Sequence, residues 1–439
     1  MGAPMILSSV VCVWFAIGGV VSVAGRATAV ETGFGLGFCR VPDCNGDGVD
    51  EIAVTDRGNQ RVLVLCPKRG DMITEIRGLE GIWDGRGLVG TIAIGPSVLG
   101  LVVREPGADY QVLSLPDGSS SGALDGGDGF IEGLAISDRD DLKHVFLSRS
   151  VEVDPHDVKG LERYTFRLLS SVSSEPLSEY VVETLHAGAA CVAGDLNDDG
   201  WTDFVVAHQG SAIASEGGDP VSRIELVAVS GAMGAVLYKV RLPGGRPRSI
   251  VEVSVTGDVD GDGVVDLLLL TCERSGRTVL ALSGADGALV KRIQVEGATG
   301  VHVVGDVDGD QCNDLAFTNA HMPIGERNVV DLHSSRSGDW IYRIESPGAP
   351  EGDIFDLDSF GCEVCRVNDI DGDGVDDLVI GANSITTCCS DWLASFSGRT
   401  GKLIKQLRAR DYVGVRNTES GPLSPRAPRR GSSEGPHDR

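Results

Sequence analysis

From residue 249 onward the chain alternates short apolar runs with polar turns: SIVEVSV, an acidic stretch, LLLLTC, ERSGR, TVLALS, GADG and ALVKRIQ. Short runs rich in Val, Ile and Leu, punctuated by Gly, Asp and Ser, predict β-strands rather than helices. The same order of four strands recurs as ACVAG, FVVAH, RIELVAVS and AVLYKV from residue 190, and as HVVG, LAFTN, VVDLHS and WIYRIE from residue 302. A turn of one kind precedes each fourth strand: SGAMG, SGADG, SRSGD and SGRTG. Gly and Asp supply the backbone freedom a tight hairpin requires. The second strand of a unit is apolar throughout, as in LLLL and LVIG, which predicts burial on both faces.

An acidic nonapeptide between the first and second strands sets the period. It reads DCNGDGVDE from Asp43, DLNDDGWTD from Asp195, DVDGDGVVD from Asp258, DVDGDQCND from Asp306 and DIDGDGVDD from Asp369. All five carry an acid at positions 1 and 9, Asp or Asn at 3 and Asp at 5, and four carry Gly at 6. The intervals between starts are 152, 63, 48 and 63 residues. The first is about three times 51, so two degenerate units are expected within it, at TIAIGPSVLGLVVRE (91–105) and GLAISDRDDLKHVFLS (133–148). A small sheet with two apolar faces cannot bury them alone and must stack on others like itself. The expected fold is therefore all-β: a seven-bladed β-propeller of four-stranded antiparallel blades. An open β-solenoid is the competing architecture, but its rungs are usually much shorter.

Composition agrees, with Gly at 60 of 439 residues and few aromatic, Met, Lys or Arg residues, which argues against a helical bundle. The formal net charge of −26 repels phosphates and anionic lipid, so nucleic acid is not an expected partner. Residues 5–25 carry no charge, and Ala27-Thr28-Ala29 follows as a small-residue cleavage site. Residues 1–29 are accordingly expected to be an export signal, although no Lys or Arg precedes the apolar run. An uncleaved N-terminal anchor is the alternative, and no later segment is long and apolar enough to span a bilayer. The expected organisation is a propeller over 30–417 and a disordered tail over 418–439, rich in Pro, Ser, Gly and Arg. DYVGVRN, from Asp411, is expected to add a strand that helps close the ring. The location expected is secreted, extracytoplasmic or cell-surface.

Eleven Cys are present, and ten remain without Cys12, an even number that permits disulfides in an exported chain. Cys39, Cys191 and Cys365 each lie four residues before an acidic loop and are expected as small buried core residues. Cys362-Glu363-Val364-Cys365 matches C-x-x-C without the βαβ context of a redox domain, so a structural pair is expected, with a bridge to Cys388-Cys389 as a further option. GSSSG at 118–122 matches G-x-S-x-G formally but lies in a Ser/Gly turn with no helix to follow. His144, His156, His186, His208, His302, His321 and His333 show no paired metal spacing and are expected as surface or loop residues. No catalytic residue is assigned.

What remains is the crowding of carboxylates beside buried strands. Calcium takes six to eight oxygen ligands, and a loop with carboxylates at alternating positions can wrap one ion. The expected ligands are positions 1, 3, 5 and 9 with the backbone carbonyl of position 7. These are Asp43, Asn45, Asp47, Val49 and Glu51; Asp195, Asn197, Asp199, Trp201 and Asp203; and Asp258, Asp260, Asp262, Val264 and Asp266. The last two loops supply Asp306, Asp308, Asp310, Cys312 and Asp314, and Asp369, Asp371, Asp373, Val375 and Asp377. Gly263 and its equivalents permit the positive φ that turns the chain over the ion. Up to five Ca2+ are expected, the Asp306 site being the weaker because Gln311 replaces glycine. An EF-hand needs Glu at position 12 and a following helix. Here position 12 is Val54, Val206, Leu269, Phe317 or Ile380, and a strand follows.

With Phe34-Gly35 and Phe360-Gly361 each preceding such a loop, the units resemble FG-GAP repeats, as found in integrin α-chain heads and many exported bacterial proteins. The resemblance covers about residues 33–410, strongly in five units and weakly in two. It implies a seven-bladed propeller with calcium in the loops joining first and second strands, and partners docking on the opposite face. The expected function is a calcium-braced adhesion module binding an extracellular protein or glycan, with ion bracing the blades rather than sensing. Longer stretches at 207–222 and 345–359 are candidate contact loops. The alternative is a hydrolase or lyase acting on extracellular polysaccharide.

Overall fold

The computed structural model describes residues 34–56, 59, 61–77, 88–95, 98–104, 110–115, 120–124, 130–136, 144–153, 162–170, 176–184, 186–209, 224–242, 249–273, 276–298, 300–319, 328–347, 360–382 and 392–412. The expected export signal, the tail beyond 418, both candidate contact loops for most of their length, Cys388-Cys389, His156 and His321 lie outside the described residues.

The described chain is all-β, built from four-stranded antiparallel sheets in sequence order. The first sheet holds β1 (Phe34–Val41), β2 (Glu51–Asp56), β3 (Arg61–Leu65) and β4 (Met72–Arg77); the second holds β5 (Leu88–Gly95), β6 (Val98–Arg104), β7 (Tyr110–Leu115) and β8 (Ser120–Leu124). The third holds β9 (Phe130–Ile136), β10 (His144–Val153), β11 (Glu162–Ser170) and β12 (Pro176–Thr184). The fourth holds β13 (His186–Gly194), β14 (Asp203–Gln209), β15 (Ile224–Val229) and β16 (Val236–Arg241), and the fifth β17 (Ser249–Val255), β18 (Leu267–Glu273), β19 (Gly276–Leu282) and β20 (Leu289–Glu296). The sixth holds β21 (Gly300–Val303), β22 (Leu315–Thr318), β23 (Val329–His333) and β24 (Trp340–Glu345); the seventh holds β25 (Val364–Val367), β26 (Asp377–Ala382), β27 (Trp392–Phe396) and β28 (Leu403–Arg408). The two degenerate units expected near 91–105 and 133–148 thus form the second and third sheets. Every sheet is open, with its strands paired in chain order.

Burial follows strand position. The second and third strands β2, β3, β15, β26 and β27 are buried at every residue, and β14 at every residue but its last, Gln209, as continuous apolar runs demand. Fourth strands such as β16 and β28 alternate toward solvent. Apolar clusters lie between successive sheets. Val205 and Leu226 of the fourth sheet pack with Leu269 and Leu282 of the fifth, Leu268 and Val279 with Val301 and Phe317 of the sixth, and Ala316 and Leu332 with Leu378 and Phe396 of the seventh. One more cluster joins the ends of the order: Phe38, Ile52 and Leu63 of the first sheet pack with Val379, Leu393 and Leu407 of the seventh.

A repeated contact explains how neighbouring sheets fit. Among the described residues, the turn before the fourth strand of the first, fourth, fifth, sixth and seventh sheets ends in a left-handed glycine that lies against a fourth strand of another sheet. A Cβ at Gly234 would meet Glu179, at Gly287 Val240, at Gly338 Ile293 and at Gly401 Tyr342. Gly70 of the first sheet stands in the same relation to Leu407 and Lys405 of β28.

Three expectations change. Asp411 and Tyr412 do not extend a strand but close a short 3-10 turn, Ala409–Tyr412. Tyr412 is buried and its hydroxyl donates to Gly70 O at 2.9 Å, so this segment joins the first sheet through a side chain rather than a backbone ladder. Cys39, Cys191 and Cys365 pack against the core clusters as expected, but from first strands, where each of the three keeps partial exposure. His208 on β14 is buried at 2 % exposure, not a surface residue.

Candidate metal centres

Each acidic loop joins a first strand to a second, and one pattern of hydrogen bonds folds all five. In the loop from Asp258, the position 1 carboxylate accepts from the backbone N–H groups of Gly261 at 2.6 Å, Asp262 at 3.1 Å and Gly263 at 2.9 Å. Asp260 Oδ1 accepts from Asp262 N–H, and Asp262 Oδ1 from Val264 N–H at 2.8 Å. These bonds curl the chain so that alternate side chains point inward. The curl needs positive φ at position 4 as well as position 6: Gly261 and Gly263 stand at 85° and 91°. Asp198 at position 4 of the second loop and Gln311 at position 6 of the fourth adopt the same region, at 60° and 74°. Position 4 escaped the sequence reading, although Gly occupies it in four loops.

Position 9 is anchored differently. Glu51, Asp203, Asp266, Asp314 and Asp377 all have zero exposure. Asp266 Oδ2 accepts from the N–H of Val259 at 2.7 Å and Asp260 at 3.2 Å, while Oδ1 accepts from Gly284 N–H at 3.0 Å. Gly284 belongs to the turn before the fourth strand, so this carboxylate ties the loop to the far hairpin of its own sheet. The approach is close: a Cβ at Gly284 would lie 1.9 Å from Val265 O. Asp203, Asp314 and Asp377 repeat the tie to Gly231, Ser335 and Gly398.

The electrostatics record the crowding. Burial, then repulsion from neighbouring acids, pushes Asp203 and Asp377 up to about 6 and Asp314 up to about 7, against the opposing pull of their backbone hydrogen bonds. Burial also raises Asp266 and Glu51. Asp258 moves the other way, held below the usual carboxylate range by the N–H of Gly263 and its neighbours.

In four loops three carboxylates converge, each offering an oxygen within 4.8 Å of the others: Asp43, Asp47 and Glu51; Asp258, Asp260 and Asp262; Asp306, Asp308 and Asp314; and Asp369, Asp371 and Asp377. The donor sets are all oxygen, which fits a hard divalent cation and not a thiolate or imidazole metal. Asp195, Asp199 and Asp203 are not among the convergent groups; Asn197 takes position 3 there and its amide donates to Asp199 Oδ2 at 3.0 Å. Of the position 7 residues, Cys312 is buried and turns its sulfur to Asp258 O of the preceding loop, 3.4 Å away.

Elsewhere, Cys362 and Cys365 form no disulfide with each other. Burial raises Cys365 and Cys191 to about 12, which leaves them unreactive as thiolates. Ser120 of the GSSSG stretch opens β8, so it lies on a strand rather than in a turn or at an elbow. His302 is pushed down to about 4 by burial. No protein-family model matches the chain, and no curated protein matches it.

Proposed function

We propose that the chain is a calcium-braced β-propeller of the FG-GAP type, exported and used as a binding module for a protein or glycan. The observation that carries the calcium reading is the convergence of carboxylates in four equivalent loops at the junction of first and second strands. Without a cation, each loop gathers like charges beside a buried strand and raises its position 9 acid. A calcium ion supplies the missing counter-charge. Asp258, Asp260, Asp262, Asp266 and the Val264 carbonyl would hold it in the third loop, with the equivalent groups in the others.

The seven-bladed ring is favoured by the packing at the ends of the chain order. Gly70 meets β28 as Gly401 meets β24, and Asn368 Nδ2 donates to Gly48 O at 2.9 Å. A solenoid would leave its first and last sheets apart. Because each ion would tie a loop to its own sheet, its role is bracing, and bound ion adds stability by mass action.

Thermal unfolding of the chain in millimolar calcium and in chelator tests the metal reading; equal midpoints would overturn it. Capture on immobilised glycans and extracellular proteins, with and without calcium, tests the binding role. Turnover of a polysaccharide abolished by a single Asp or Glu replacement would favour the hydrolase or lyase instead.

A further inference from the structure

The loops from Asp258 and Asp369 are a matched pair. Both place Asp at positions 1, 3, 5 and 9, Gly at 4 and 6, and Val at 7. They differ at position 8, where Val265 stands against Asp376, an acid already paired with Arg366, and in the turn before the fourth strand, which reads Ser283-Gly284-Ala285 in one and Ser397-Gly398-Arg399 in the other. Arg399 Nη2 donates to Asp373 O at 2.9 Å, and its Nε lies 3.7 Å from Asp373 Oδ1. At the equivalent place in the fifth sheet, only the Ser283 hydroxyl reaches Asp262, at 3.3 Å. Two other loops carry the same device. Arg69 Nη2 sits 2.7 Å from Asp47 Oδ2, and Arg336 lies 3.9 Å from Asp310 Oδ2 while donating to Asp258 O at 2.6 Å.

We propose that Arg399, and by the same contact Arg69 and Arg336, are tethered counter-cations that compete with calcium at position 5, so the Asp258 loop, whose Asp262 has no such partner among the described residues, binds calcium more tightly than its match at Asp369. The inference rests on the calcium reading above and adds an order of filling. A guanidinium at position 5 neutralises one charge of the donor set and must swing away, or share its carboxylate, when an ion enters. Screened, exposed pairs of this kind correspond to about a 1.5- to 5-fold change in affinity for each site. The loops from Asp43 and Asp195 fall outside the matched contrast, since Asn45 and Asn197 each remove a charge there by another route.

Calcium titration calorimetry of the full chain at low ionic strength tests the proposal by a swap. Arg399→Ala should move one equivalent from the weak phase toward the tight one, and Ala285→Arg should weaken the tight phase by a few-fold. Ala285 and Arg399 are both exposed, so both variants should fold. Added potassium chloride should shrink the difference. Isotherms unchanged by the swap, or a tight phase lost in Asp373→Ala and retained in Asp262→Ala, would overturn the order of filling while leaving calcium binding intact. Absence of binding heat in the unmodified chain would overturn the calcium reading itself.

Discussion

Asp50 and Asn368 exchange hydrogen bonds across 318 residues of sequence: Asp50 N–H donates to Asn368 Oδ1 at 2.9 Å, and Asn368 N–H donates to Asp50 Oδ2 at 3.0 Å. They join the first sheet to the seventh. Asn368→Ala removes the side-chain half of this exchange together with the bond to Gly48 O, and leaves Asp50 N–H without its acceptor. A loss of about 1–3 kcal/mol is expected, read as a lower urea midpoint at unchanged slope.

Positions 5 and 9 of a loop should behave differently. Asp373 is a partly exposed proposed ligand, whereas Asp377 is fully buried and accepts from Ile370, Asp371 and Gly398. Asp373→Ala should lower stability in chelator by about 1 kcal/mol, since Val375 N–H and the Ser397 hydroxyl lose their acceptor, and remove part of the rise in calcium. Asp262→Ala should do the same in the Asp258 loop. Asp377→Ala should cost about 3 kcal/mol in both conditions, because three backbone donors lose their acceptor. Melting curves of the variants with and without calcium separate these outcomes.

Gln311 holds φ at 74°, where a side chain is strained by about 1–2 kcal/mol. Its N–H still donates to Asp306 Oδ2 at 2.8 Å, so the loop keeps its shape at a cost. Gln311→Gly should raise stability in chelator by about 1 kcal/mol and tighten calcium binding at that loop. An unchanged midpoint would count against the strain.

The pH dependence should be lost with calcium. Asp203, Asp314 and Asp377 have folded values of about 6, 7 and 6, above the ordinary 3.8. Between those limits the folded chain binds more protons than the unfolded one, so in chelator these groups make stability fall from pH 4 toward 7. Calcium favours the ionised carboxylates and should abolish the fall. Denaturation midpoints at pH 4.5, 6 and 7.5, in chelator and in calcium, check both arms.

Strands were legible where their pattern is local. SIVEVSV matches β17 residue for residue, and LLLLTC, TVLALS and ALVKRIQ fall on β18, β19 and β20 to within a few residues. The degenerate second and third sheets could be placed only from the interval between loops, since they lack the acidic signature. What sequence could not reveal depends on contacts between units. Cys39, Cys191 and Cys365 read as core and do pack on it, but that their first strands leave them partial exposure was not legible. The dual role of position 9 required the distant turn at Gly284 to be seen beside Asp266. Tyr412 read as part of a strand, while its ring is held by Gly70, a residue 342 positions away.

That last contact bears on synthesis. Until Tyr412 leaves the ribosome, the flank of the first sheet that will receive it has no cover, although the strands beneath it were made more than three hundred residues earlier. A premature stop before this residue would therefore leave an old surface bare at the start of the chain, far in sequence from the missing piece, and proteolysis or clumping would begin there.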